Sequence, residues 1–282
     1  MPLGDKRIAF IGSGVMAEAM IKGLITQKLL TGDQLSAADP REDRGQELIS
    51  RYGLRFSTDN AAVVENADII VISTKPQVVG QVFHSLNGRG SRASLILSIL
   101  AGVKIGTLAE GMFNPNIVRA MPNTPAQIGE GITVWTATPE VPESQHEDAR
   151  TLLGALGEEM YVDDEKYLDM ATALSGTGPA YVFLFMEALI DAGVHMGFSR
   201  RDSERLVLKT VRGSVDFAMH SGLHPAQLRN QVTSPGGTSA EAIYQLEKGG
   251  LRTVISRAVW AAFQRSVALG KGQKRKEDAD ED

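Results

Sequence analysis

At 282 residues, with 43% hydrophobic and 22% charged side chains, the chain has the make-up of an ordinary globular protein and room for two modest domains. A net charge of −5 argues against nucleic acid or an anionic membrane as partner. The absence of cysteine excludes disulfides, thiol catalysis and Cys-ligated metals, and suits the cytoplasm.

The first element is an apolar run, Arg7 to Ile11, closed by Gly12-Ser13-Gly14. It leaves no place for the charged and apolar regions of a leader, so a cytoplasmic protein is expected. Val15, Met16, Ala19, Met20 and Leu24 then repeat at helical spacing. Strand, glycine turn and helix in this order carry the G-x-G-x-x-A pattern, with Ala17 in the third small position. The first glycine makes the turn, the second admits a pyrophosphate, and the third lets helix pack on strand. A second strand, Leu35 to Ala38, ends in Asp39 at the distance expected of a ribose-binding acid.

Further strands are expected at 67–73, 94–99 and 116–120, all apolar without polar alternation, as when both faces of a parallel sheet are covered. The first of these ends in Thr74-Lys75-Pro76 and the last in Met121-Pro122-Asn123-Thr124-Pro125, at the carboxyl edge where such sheets bind ligands. Ile132 to Thr136 alternates and reads as an edge strand. The pattern is that of an α/β, Rossmann-type doubly wound sheet over residues 1–162.

Beyond Tyr161 strand signals largely vanish, and helices are expected at 165–174, 179–197, 200–221, 237–247 and 250–269. This gives an all-α domain over 163–270, followed by a charged, disordered tail at 271–282. The run 179–197 is apolar almost all round, more than a small bundle buries, and so suggests a subunit interface. Its apolar core ends at Ile190, too short for a membrane span. Glu187, Asp191 and His195 share one face and read as a hydrogen-bonded stripe.

The stretch Ser234-Pro235-Gly236-Gly237-Thr238-Ser239 combines a stop, a sharp turn and a helix start. Thr238 and Glu241 have the spacing of a capping box. The free amides of such a helix start suit a small carboxylate. No lysine, histidine or Tyr–Lys pair stands ready in a loop of the helical half to stabilise an oxyanion. An imine fits better than a ketone: once protonated it is already electrophilic, and hydride addition removes charge instead of creating it.

Ile11 to Met16, Thr74 to Gln77, Arg119 to Pro125, Leu174 to Tyr181, Asp191 to Gly193 and Ser234 to Ser239 together resemble pyrroline-5-carboxylate reductase, in order across residues 7 to about 269. The resemblance implies a Rossmann domain and an interlocking helical dimerisation domain, with reduction of 1-pyrroline-5-carboxylate to L-proline by NADPH or NADH in a homodimer or higher oligomer. It places pyrophosphate against Ile11, Gly12, Ser13, Gly14, Val15 and Met16, and the ribose near Asp39 and Arg41. Asn60, Ser73, Thr74, Lys75, Pro76 and Ala101 would also line the cofactor. Substrate would lie against Glu165, Ser234, Gly236, Gly237, Thr238 and Ser239, with no metal. Ser239 stands where the family usually has the threonine whose hydroxyl faces the substrate nitrogen. Asp39 favours a free 2′-hydroxyl and hence NADH, whereas Arg41 or Arg44 suits a 2′-phosphate.

Two other readings are weaker. A β-hydroxyacid dehydrogenase would carry a catalytic lysine early in the long helix, and 175–187 contains none. A silent NAD(P)-sensing protein would be expected to have lost the 234–239 pattern, which is intact.

Overall fold

The computed structural model describes residues 3–90, 92 and 94–270; the expected tail at 271–282 lies outside them. The described chain forms two compact units. One runs up to Thr177 and resumes at Ala262; the other is Gly178–Ala261.

The first unit contains β1 (Ile8–Ile11), α1 (Val15–Thr26), β2 (Leu35–Ala38), α2 (Glu42–Tyr52), β3 (Arg55–Ser57), α3 (Asn60–Val64), β4 (Ile69–Ile72), α4 (Val79–Leu86), β5 (Leu95–Ser98), α5 (Ile105–Met112), β6 (Ile117–Met121), β7 (Gly131–Ala137), α6 (Glu143–Gly154), β8 (Gly157–Tyr161) and α7 (Lys166–Ala171). The strands lie in the order β3-β2-β1-β4-β5-β6-β7-β8, and every pairing is parallel except β6 with β7. The chain leaves β1 toward β2 on one side and returns to β4 on the other. The switch point, where doubly wound sheets open a crevice, is therefore between β1 and β4.

The unbroken apolar strands are explained by two cores. Ile8 and Phe10 of β1, Ile69 and Val71 of β4, and Leu95 and Leu97 of β5 turn to one face, under α1, α2 and α6. Ala9, Ile11, Ile70, Ile72 and Ile96 turn to the other, under α3, α4 and α5. Period-two side-chain direction thus feeds both layers. Each fully buried Ile or Leu stabilises the sheet by about 1.5–3 kcal/mol relative to exposure.

The expected edge strand at 132–136 is interior: β7 pairs with β6 on one side and β8 on the other. Trp135 is fully buried there, and its Nε1 donates to Glu159 of β8. The true edge, Gly-Glu-Glu-Met-Tyr, is too polar to read as a strand.

After the π-turn Thr172–Gly176, the second unit carries α8 (Gly178–His195), α9 (Arg200–Ser221), α10 (Pro225–Gln231), α11 (Thr238–Lys248) and the first part of α12 (Leu251–Gly270). Ser199 caps α9 by accepting from the Asp202 N–H at 3.1 Å. The unexpected α10 begins with Pro225 in its first turn, and His224 Nδ1 accepts from the Ala226 N–H. The capping box expected at Thr238 and Glu241 is absent. Gly236 turns the chain at φ +70°, extended Gly237 becomes the N-cap, and Thr238 is already helical. Glu241 instead accepts from Gln245 Nε2 at 3.0 Å, one turn along.

The helix run Lys166–His195 extends over 30 residues. By length and composition alone it could cross a membrane, so the argument from a short apolar run does not hold. Its polar positions argue the other way: Asp191 pairs with Arg200 at 2.8 Å.

All three clusters of buried apolar side chains among the described residues belong to the first unit. In Gly178–Ala261 the only buried residues are Gly193 and Ser203, while Phe183 is 60% and Leu184 67% exposed. A helical unit with no core of its own needs a covering surface. We expect light scattering to give at least twice the chain mass at micromolar concentration; a stable monomer would refute a second copy as that cover.

Candidate active site

The carboxyl edge at the switch point is built around Gly12. Its φ of +89° suits glycine, and a Cβ there would lie 2.9 Å from the Ser73 carbonyl carbon. Ser73 locks the approach, its hydroxyl donating to Gly12 O at 2.7 Å and Ile11 O at 3.2 Å. Gly14 is the N-cap of α1 with no capping side chain, and a Cβ on it would meet nothing within 4 Å. The first amides of α1 thus point along a positive helix end into open space, the arrangement that binds pyrophosphate. Thr74, whose methyl lies 2.8 Å from where a Cβ on Gly12 would sit, has its Oγ1 buried without a partner. An orphaned hydroxyl, an open glycine cradle and uncapped amides fit a dinucleotide.

Ser13 between the glycines is fully buried and held from both sides. Its N–H and hydroxyl donate to Asp39 Oδ2 at 3.2 and 3.0 Å, and its carbonyl accepts from Arg44 Nε at 3.0 Å. Burial works against a charged Asp39. Hydrogen bonds from Arg41 and Ser13 outweigh it and hold the carboxyl below the usual aspartate range. Arg44 is committed to Glu18 and Glu47 as well as to Ser13. Burial likewise opposes the charge on Glu18, but Arg44, Tyr52 and Arg51 keep its carboxyl below the ordinary value.

Ile11 to Met16, Asp39, Arg41, Ser73 to Pro76 and Ala101 follow the carboxyl ends of β1, β2, β4 and β5, where the sequence reading puts them. Asn60 opens α3, but its Nδ2 is engaged by Ser85 Oγ at 2.9 Å. Glu165 precedes α7, and its Oε1 accepts from Arg119 Nη1 at 2.7 Å and the Ile105 N–H at 2.8 Å.

Arg119 is the residue that sequence reasoning left without a role. It is 2% exposed in the middle of β6 and reaches Asp169 at 3.5 Å as well as Glu165. Asp169 in turn accepts from Ser266 at 2.8 Å, which ties the last turns of α12 to α7. The available signal was a lone charge inside an apolar strand, Ile117-Val118-Arg119-Ala120-Met121.

In the second unit, Gly237 N–H donates to Ser234 O at 3.1 Å and closes the turn before α11. No side chain caps α11, so the amides at its start are exposed as at α1, and Ser239 is half-buried in the first turn.

Residues 165–269 match the family model described as pyrroline-5-carboxylate reductase dimerisation, and 7–102 match NADP oxidoreductase coenzyme F420-dependent. A pyrroline-5-carboxylate reductase of Synechocystis is 40% identical over 94% of this chain and 98% of its own length. One from Pseudomonas aeruginosa is 39% identical over 95% and 98%. The chain belongs to the pyrroline-5-carboxylate reductase family. It is an oxidoreductase with a Rossmann-like domain and a helical dimerisation domain. Among solved structures, the Plasmodium falciparum pyrroline carboxylate reductase with NADP bound has a TM-score of 0.86 at 34% identity, over 94% of this chain and 98% of its own. The Coxiella burnetii pyrroline-5-carboxylate reductase has a TM-score of 0.85 at 33% identity, over 96% and 100%.

Two expectations follow from the charges of this reductase. Arg119→Met leaves two acids around a vacated, buried guanidinium site and should cost about 3–5 kcal/mol in urea denaturation. A loss below about 1 kcal/mol would reduce the network to the worth of a surface pair. Asp39 gives the acid limb: the unfolded carboxyl takes up its proton at about pH 3.9, the folded one only at lower pH. Its contribution is thus full above about pH 4 and lost as pH falls through the folded value. Asp39→Asn should flatten the fall in stability below about pH 4, seen by thermal unfolding across pH.

Proposed function

We propose that this protein reduces the cyclic imine 1-pyrroline-5-carboxylate to L-proline with NAD(P)H, the last step of proline biosynthesis. The observation that carries the reading is the pair of uncapped helix starts, α1 after Gly12-Ser13-Gly14 and α11 after Gly236-Gly237. The first suits a pyrophosphate and the second a small carboxylate. The nicotinamide supplies the hydride.

In this reading Ile11, Gly12, Ser13, Gly14, Val15 and Met16 present main chain to the pyrophosphate. Asp39 and Arg41 mark the ribose end, with Asn60, Ser73 to Pro76 and Ala101 along the cofactor. The substrate carboxylate rests on the amides of Gly237, Thr238 and Ser239, with Ser234 and Gly236 shaping the turn beneath it. The Ser239 hydroxyl faces the ring nitrogen and accepts from its N–H once the imine is protonated. Helical side chains lean toward the helix start, so Ser239 shares the carboxylate's end of α11. A protonated imine needs little acid catalysis, and orientation supplies much of the rate. Lacking the methyl of the family's threonine, Ser239 has a less restricted rotamer.

Residues 1–162 form the dinucleotide-binding domain and 163–270 the dimerisation and substrate domain, in a homodimer or higher oligomer. The protein works in the cytoplasm with a small-molecule substrate, without nucleic acid, membrane or metal. Its net charge of −5 and lack of cysteine support this.

The test is oxidation of NAD(P)H by pyrroline-5-carboxylate with proline appearing in equal amount; no proline would sink the reading. Ser239→Ala keeps the amides, so substrate should still bind while single-turnover hydride transfer slows by about 10²-fold. Ser239→Thr should be near neutral. Thr238 makes no cap bond, so Thr238→Ala should change stability by no more than about 0.5 kcal/mol. An unchanged rate in folded Ser239→Ala would remove this hydroxyl from the mechanism.

A further inference from the structure

Arg119 carries a charge into the middle of an apolar strand, where it is almost wholly buried. Stability does not explain it, because apolar side chains often replace a buried ion pair at no loss. Its contacts supply another reason. The guanidinium meets Glu165 Oε1 at 2.7 Å and Asp169 Oδ1 at 3.5 Å, and each acid passes the hold on to the link from β5 to α5. Glu165 Oε1 also accepts from the Ile105 N–H at 2.8 Å and so caps α5, whose own N-cap, Lys104, makes no side-chain capping bond. Asp169 Oδ2 pairs with Lys104 Nζ at 3.4 Å. Its Oδ1 accepts from Ser266 Oγ at 2.8 Å, which holds the end of α12 against the same link. A Cβ on Gly102 would lie 2.9 Å from Leu269 Cβ there. Residues 101–105 are therefore gripped at Gly102, Lys104 and Ile105, and the three grips meet at one guanidinium.

This link lies under the reacting end of the cofactor. A dinucleotide crosses a doubly wound sheet at its switch point, with one nucleotide over each half. Asp39 at the end of β2 marks the adenosine half, so the nicotinamide falls on the other side, over the carboxyl ends of β4 and β5. Ala101 follows β5 there, and the Ile99 N–H donates to Ile72 O at 3.1 Å, joining the start of the link to the end of β4. The glycine turn and Asp39 are held by a separate set of bonds, through Arg41 and Arg44.

We infer that Arg119 is a positioning residue for hydride transfer: through Glu165 and Asp169 it fixes residues 101–105 as the floor under the nicotinamide half of the cofactor. A lysine in its place can neutralise one acid but not hold both, since it offers a point charge where arginine offers a planar fork. The inference rests on the nucleotide site of the proposed function and not on which imine is reduced.

The test separates the two halves of the cofactor in the full-length, substrate-free protein. ADP-ribose, or its 2′-phosphate if the wild type binds NADPH better than NADH, probes the adenosine half by calorimetry. The reduced cofactor, followed by nicotinamide fluorescence, probes both halves. Arg119→Lys should bind the first ligand within about 2-fold of the wild type and the second about 3- to 10-fold more weakly, because a loosened floor must be ordered on binding. At saturating cofactor and pyrroline-5-carboxylate, its single-turnover hydride transfer should slow by about 10- to 100-fold, the effect of misplaced reacting atoms. Asp169→Asn keeps the shape and the bond from Ser266 but weakens the pull on Arg119 and Lys104. It should move the same readings in the same direction, and it decides the matter if the lysine variant does not fold. A folded variant with wild-type cofactor binding and hydride transfer would overturn the inference. So would an equal loss of both ligands, or failure of both variants to fold, either of which reduces Arg119 to a support of the sheet. If the wild type oxidises no cofactor with pyrroline-5-carboxylate, the proposed function fails, and the binding comparison still decides this inference.

Discussion

The close approach of β1 to β4 at Gly12 is the constraint on which the nucleotide site depends. A Cβ at this position would collide with the Ser73 backbone, so only glycine lets the chain turn there. The turn sends α1 off with its first amides unpaired and its N-terminus toward the sheet's carboxyl edge. The same turn buries Ser13, whose polar atoms would be costly to enclose without partners. Asp39 and Arg44 are those partners. The ends of β2 and α2 are therefore shaped by the glycine turn before any ligand arrives.

The polar groups around the edge divide into those already spent and those left available. Asp39, Arg44, Glu18, Arg119 and Asp169 are engaged with one another or with main chain, and they keep loops in place. What remains to meet a ligand is main-chain N–H at α1, the orphaned Thr74 hydroxyl and the open side of Arg41. Fixed amide dipoles need no reorganisation when charge approaches them, which suits a site that must take up and release a pyrophosphate in every turnover.

This division explains what was legible in the sequence. β1, β2, β4, β5 and β6 were readable because covering both sheet faces demands unbroken apolar runs. The glycine turn and the 234–239 turn were readable because backbone geometry restricts residue type. β8 was not, since Glu159 spends its charge on buried Trp135 and on Arg150, a long-range pairing that local pattern cannot reveal. The cap at Thr238 was misplaced by one residue because Ser/Thr-x-x-Glu spacing is blind to a preceding Gly-Gly that takes over the turn. Helix α10 was missed because seven residues capped by a histidine carry little periodicity. The Ser13–Asp39 lock and the Arg119 hub escaped for one reason: each joins residues 26 or more positions apart through side chains whose identities alone do not declare a partner.

The helical unit is a different physical object from the sheet. Its apolar residues are numerous yet none is buried, so its helices are held by local hydrogen bonding and by α8 lying along α9. Helical hydrogen bonding alone is marginal in water, and most helix stability in proteins comes from packing an apolar face. The family's dimerisation model spans this unit. The turn before α11 is thus carried on a scaffold with no buried apolar side chain of its own, whereas the glycine turn before α1 sits on a sheet with two complete cores. On the proposed reading, dilution or interface mutation should then loosen the turn before α11 sooner than the glycine turn before α1, because only the second rests on a core of its own.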